Sequence, residues 1–117
     1  MSSRRVLLLF IVGLLFAAGL QLAGCGGGSG ASESDQAKAV AEARVALHRA
    51  QAAGQDLSRG PCIAESLPGL PDWVADVAHE PRRPVDDQPQ NQCRRYQAGQ
   101  AHHFVELTAQ GGLIREQ

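Results

Sequence analysis

Apolar and polar positions follow three different rhythms along this chain. From Val6 to Leu20 the run is almost unbroken apolar, residues 36 to 53 repeat apolar positions at helical spacing, and from His103 onward apolar and polar residues alternate. The middle stretch is dominated by alanine, which has the highest helix propensity. Ser32 with Asp35 three residues on, or Ser34 alone, can cap it, and Gly54 can stop it. Val40, Leu47 and the alanines between them make only a thin stripe, so the predicted helix lies on a sheet or groove and does not thread a core. At the other end, His103, Val105 and Leu107 alternate with Phe104, Glu106 and Thr108, the period of a strand. The turn residues from Ala109 to Gly112 then lead into Leu113, Ile114 and Arg115, which predicts a C-terminal β-hairpin.

Punctuation governs the segment between. Gly60, Pro61, Pro68 and Pro71 make residues 56 to 71 a loop, with at most a short extended piece around Cys62, Ile63 and Ala64. Pro71 suits the first position of a two-turn helix reaching Ala78, with Trp73, Val74 and Val77 facing inward together. Pro81, Pro84 and Pro89 then favour an extended crossing, over which Arg82 and Arg83 cancel Asp86 and Asp87 locally.

The opening run changes what must be folded. Arg4 and Arg5 precede 15 apolar residues that include two glycines, and Gln21, Leu22, Ala23, Gly24 and Cys25 close the run. Charge, apolar core and small-residue cleavage site come in the order of a secretory signal. The run is shorter than the ~20 residues a spanning helix requires. Leu22-Ala23-Gly24-Cys25 resembles the lipobox of bacterial lipoproteins. That resemblance implies cleavage before Cys25, a diacylglyceryl group on its sulfur, and attachment to a lipid membrane facing the periplasm or exterior. Two or more acyl chains hold a protein at a membrane where one would not. The family's inner-membrane retention signal is an Asp after the lipidated Cys, and Gly26 in that place leans toward the outer membrane over the cell membrane. Ser3-Arg4-Arg5-Val6-Leu7-Leu8 partly resembles the twin-arginine export motif, but so apolar a run favours the general secretory route.

Three segments result: a signal peptide over 1–24, a lipidated Cys25 with a Gly/Ser linker over 25–35, and a small globular domain over 36–117. Removing the signal leaves 9 Lys and Arg against 12 Asp and Glu, a net of −3. No basic face of the kind nucleic acid demands is present in that balance. A domain this small has a marginal core and benefits from a covalent staple. With Cys25 acylated, Cys62 and Cys93 are the remaining thiols, and an even pair in an exported domain reads as a disulfide. The expected fold is α+β: a long N-terminal helix, a short helix near Trp73 and a C-terminal β-hairpin, stapled by that disulfide.

Candidate chemistry is sparse. His102 and His103 with Glu106 form a His-His-x-x-Glu string suggestive of metal, but on a strand His102 and Glu106 stand ~13 Å apart and adjacent histidines point to opposite faces. A zinc or copper site would therefore have to recruit His79. Asp86, Asp87 and Gln88 offer oxygen ligands without the glycine of a calcium loop and read as a solvated loop. No serine sits in a nucleophile turn. Cys62 near His79 or His103 could serve a cysteine-dependent enzyme only if unpaired. Carboxylates such as Glu65 with Asp72 or Asp76 could act as a pair only if the fold brings them together. Trp73 reads as core rather than as a binding anchor. The leading expectation is a membrane-anchored envelope lipoprotein presenting a non-enzymatic binding domain to an envelope protein or the cell wall, with no cofactor. The alternatives are a metal-binding lipoprotein using His79, His102 and His103, and a small cysteine-dependent enzyme.

Overall fold

A computed structural model describes residues 30–117. The segments expected to be a signal peptide, a lipidated Cys25 and a linker lie, as far as residue 29, outside the described residues. Helix α1 (Glu33–Ala52) opens at Ser32, whose hydroxyl accepts the Asp35 N–H at 3.1 Å, with Glu33 and Asp35 in the first turn where the helix dipole favours acids. It thus begins three residues before position 36, because Glu33, Ser34 and Asp35 form the capped first turn. Gly54 follows the helix with φ +69°, a conformation that costs glycine little. Ser32→Ala is expected to cost about 1 kcal/mol, measurable as a lower urea midpoint with unchanged slope.

Four strands form one sheet in the order β1 (Cys62–Ala64), β2 (Trp73–Val77), β3 (His103–Leu107) and β4 (Leu113–Glu116). The β1–β2 and β3–β4 pairs are antiparallel, whereas β2 and β3 run parallel in continuous register from Trp73 opposite His103 to Val77 opposite Leu107. A parallel pair requires a crossover, and residues 78–102 supply it. The crossover carries 3-10 turns at Pro84–Asp87 and Pro89–Asn91 and the short helix α2 (Arg94–Gln97).

The α+β class, the long helix lying on a sheet, the terminal hairpin and the Cys62–Cys93 disulfide all match expectation. The short helix does not lie near Trp73. Trp73–Val77 is a central strand, and the short helix is α2, twenty residues further on. Pro71 is compatible with either element, and what decides is that Trp73, Val74, Ala75 and Val77 are all buried. A strand covered on both faces loses the alternation that would have revealed it.

Each sheet face has its own core. Trp73, Ala75, Val77, Val105 and Leu107 pack against Ala39, Ala43 and Leu47 of α1, whose small side chains let the helix axis approach the sheet. On the other face Val74 and Phe104 pack under Cys93 and Ala101 from the crossover, with Cys62 beside them. The disulfide joins β1 to the start of α2 and so ties this cover to the sheet. Glu65 reinforces it by accepting the Arg94 and Arg95 N–H groups, each at 3.0 Å, while the Arg95 guanidinium donates to the carbonyls of Glu65, Pro71 and Gln100. Among the described residues no helix is long and apolar enough to cross a membrane.

Candidate functional site

The parallel register sets Asp76 of β2 beside Glu106 of β3, both on the face away from α1. Two apolar strands thus each contribute one acid to the thinner of the two cores. Glu106 is almost wholly buried, and both of its carboxylate oxygens are engaged. Arg82 Nη1 donates to Oε1, and Arg115 Nε donates to Oε2 at 3.0 Å. Arg82 also donates from Nε to Asp87 Oδ1 at 2.9 Å. Asp76 has no such support: its Oδ1 is sealed from solvent and has no hydrogen-bond partner. Burial, reinforced by the charge of Glu106 and only partly offset by Arg82 and Arg115, pushes the Asp76 carboxyl up to about 7. Glu106 in turn holds the Arg82 guanidinium firmly protonated.

Aromatic side chains wall the group. The Arg115 guanidinium carbon lies 4.9 Å from the centre of the Phe104 ring, and Tyr96 meets Phe104 edge-on at 5.3 Å. These residues line a pocket of about 250 Å³ into which Asp76, Arg82 and Glu106 also face.

No known family model, curated protein or solved structure matches this chain.

The histidines fall in two places. His102 Nδ1 lies 2.7 Å from Asp72 Oδ1, and His103 Nε2 lies 3.7 Å from Asp72 Oδ2. Both rings reach one carboxylate, contrary to the expectation of opposite faces, because His102 precedes β3 and escapes its pleat. The hydrogen bond from His102 outweighs desolvation and holds Asp72 below the usual carboxylate range. The His103 ring stacks on Trp73 at 4.8 Å. These residues border a wide cleft of about 670 Å³ beside Ala31 and Gln36. His79 stands beyond the far end of β2, six residues past the position paired with His103, or about 20 Å at strand rise. The three histidines proposed as metal ligands therefore do not converge. The string His102, His103 and Glu106 is also split, since Glu106 belongs to the arginines.

His79 instead braces the crossover. Its Nδ1 lies 2.8 Å from Asp86 Oδ1 and its N–H donates to Oδ2, which also accepts the Arg83 N–H at 2.8 Å. Asp86 is buried, a departure from the solvated loop expected, whereas Asp87, Gln88 and Gln90 are exposed as expected. Burial alone would raise the Asp86 carboxyl, but these hydrogen bonds hold it below its ordinary value. Gly60 is confined here: with φ +66°, a Cβ would stand 2.8 Å from the Val77 carbonyl oxygen and collide with Asp86 Oδ1.

Among the described residues, three metal-ligating side chains gather only at Cys62, Glu65 and Cys93, and there both sulfurs are joined to each other. The same bond removes the thiol that a cysteine-dependent enzyme would need. The carboxylates weighed as a pair have separate duties: Glu65 caps α2, Asp72 holds the histidines, and Asp76 partners Glu106. Sequence reasoning missed that last pairing. Its signal was a single acid inside each of two apolar stretches, Trp73 to Ala78 and Phe104 to Leu107.

Proposed function

We propose that this chain is an envelope lipoprotein, lipid-anchored through Cys25, whose small domain is a non-enzymatic binding module. The observation that carries the reading is Leu22-Ala23-Gly24-Cys25 at the end of the apolar run, followed by a Gly/Ser segment and then a capped helix. The Cys62–Cys93 disulfide within the chain supports it, since such bonds persist in oxidising compartments outside the cytoplasm. The pocket holding Asp76 and Glu106 is the binding surface, turned to an envelope protein or the cell wall. Buried charge held by hydrogen bonds is costly to keep, and a recognition pocket gives it a use.

Intact mass of the protein extracted from membranes tests the anchor. The expected product is Cys25 to Gln117 carrying a diacylglyceryl group, with Cys25→Ala leaving the chain unprocessed and without lipid. An unmodified Cys25 in the wild-type chain, or a lipidated product from the Cys25→Ala variant, would overturn the reading.

A further inference from the structure

Among the charged side chains of the acid-pair pocket, the unspent hydrogen-bonding capacity is on the arginines. Both oxygens of Glu106 are taken, and Asp87 Oδ1 is committed to Arg82. Of the charged side chains among the described residues lining the pocket, what remains unspent is donor, beside the amides of Gln92 and Gln117, which can both donate and accept. Arg115 uses only Nε, so its Nη1 and Nη2 are free to donate, and Arg82 has Nη2 unused. The Tyr96 hydroxyl adds another donor at the rim. Asp76 lines the same pocket with Oδ1 sealed, so the oxygen it shows is Oδ2. With a proton there, Asp76 is a donor too.

Charge narrows the ligand further. Arg82 and Arg115 are balanced by Glu106 and Asp87, so with Asp76 neutral these five side chains carry no net charge. It can admit one negative charge, whereas a second would face Glu106 and Asp87 uncompensated. A planar guanidinium edge matches the two oxygens of a carboxylate. Phe104 and Tyr96 give an adjoining apolar group a surface to rest on.

Building on the binding-module reading, we propose that this pocket recognises a single carboxylate, held by the free edge of Arg115 and by Arg82, with protonated Asp76 donating the third hydrogen bond. The carboxylate belongs either to a free small acid or to the terminus of a peptide. Binding is coupled to pH through Asp76. The charged groups facing Asp76 are Glu106 on β3, Arg115 on β4, and Arg82 with Asp87 on the crossover. When Asp76 ionises, the donor becomes a second negative charge against the ligand, so affinity falls as pH rises through neutrality.

NMR titration of the full chain in detergent, labelled with nitrogen-15, tests this by following the arginine Nε–H and backbone signals around the pocket. The probes are sodium propionate for a free acid, N-acetylglycine for a peptide terminus, N-acetylglycinamide as the uncharged control, and inorganic phosphate. Saturable shifts confined to the pocket are expected from propionate or N-acetylglycine, the tighter of the two marking the source. Affinity should be roughly tenfold or more weaker at pH 8 than at pH 6, the loss of one donor and gain of one repulsion. Arg115→Gln should weaken binding at both pH values, and Asp76→Asn, which keeps a neutral donor, should bind equally at both. Pocket shifts of equal strength from N-acetylglycinamide, or tighter ones from phosphate, would overturn the carboxylate assignment and leave the binding module standing. Silence from every probe overturns the assignment as well, while the mass of the anchored chain separately decides the envelope reading.

Discussion

Replacing Cys62 and Cys93 together by alanine is expected to cost about 3–4 kcal/mol, the loop-closure entropy that the bond removes from the unfolded chain. The two residues are 31 positions apart. Small domains have only about 5–15 kcal/mol to lose, so the variant should unfold at a much lower urea concentration. The loss has a place as well as a size. Among the described residues, the α1 face of the sheet has a core of ten buried residues that includes Trp73, whereas the opposite face has only Val74, Cys93, Ala101 and Phe104. That smaller cluster includes one end of the disulfide, so cutting the bond releases the cover over Phe104 while α1 stays docked. Hydrogen exchange should accordingly rise first in residues 84–101 and later in α1. A urea midpoint equal to the wild type would show that the Glu65 and Arg95 hydrogen bonds hold the crossover unaided.

How much could be read in advance depended on whether an element shows one face to water. Helix α1 and the β3–β4 hairpin were legible because each carries its own start and stop signals: Ser32 and Gly54 for the helix, the run from Ala109 to Gly112 for the hairpin. Strand β2 was not, because covering both its faces erased the alternation and left Pro71 as the loudest local cue. The disulfide followed from counting thiols, a global constraint that needs no local pattern. The candidate site lay at the other extreme. Asp76 and Glu106 are thirty positions apart, and a parallel pairing across a crossover brings them together without any spacing rule. The histidines show the converse. Adjacent in sequence and suggestive as a string, His102 and His103 are claimed by Asp72, and His79 by Asp86.

Asp76 makes the domain's stability fall with rising pH over a range where most folded proteins are insensitive, and Asp76→Asn is expected to abolish that fall. The sign follows from its raised value in the folded state, about 7 against an ordinary 3.8. The folded chain binds the proton more tightly than the unfolded one. The contribution is therefore fully present below about pH 4 and is lost as pH rises toward and through 7. At ~1.4 kcal/mol per pH unit the span corresponds to about 4 kcal/mol, and contact of the half-buried side chain with pocket water reduces the expected loss to about 2–4 kcal/mol. Asp72 and Asp86 have lowered values, so their contributions are lost only at acid pH and do not obscure the range from 5 to 8. Urea unfolding at pH 5 and pH 8 reads the effect directly. The gap between wild type and Asp76→Asn should widen from pH 5, where Asp76 is protonated in the folded chain alone, to pH 8, with the variant increasingly the more stable. Glu106→Gln provides an independent arm: it removes the neighbouring charge that reinforces burial and leaves Arg82 and Arg115 to favour the ionised carboxyl, so the fall should move to lower pH, and an unmoved fall would show that burial alone raises Asp76. Equal stability of wild type and Asp76→Asn at both pH values would mean that the sealed Oδ1 finds a partner in solution and that burial does not raise the Asp76 carboxyl as described.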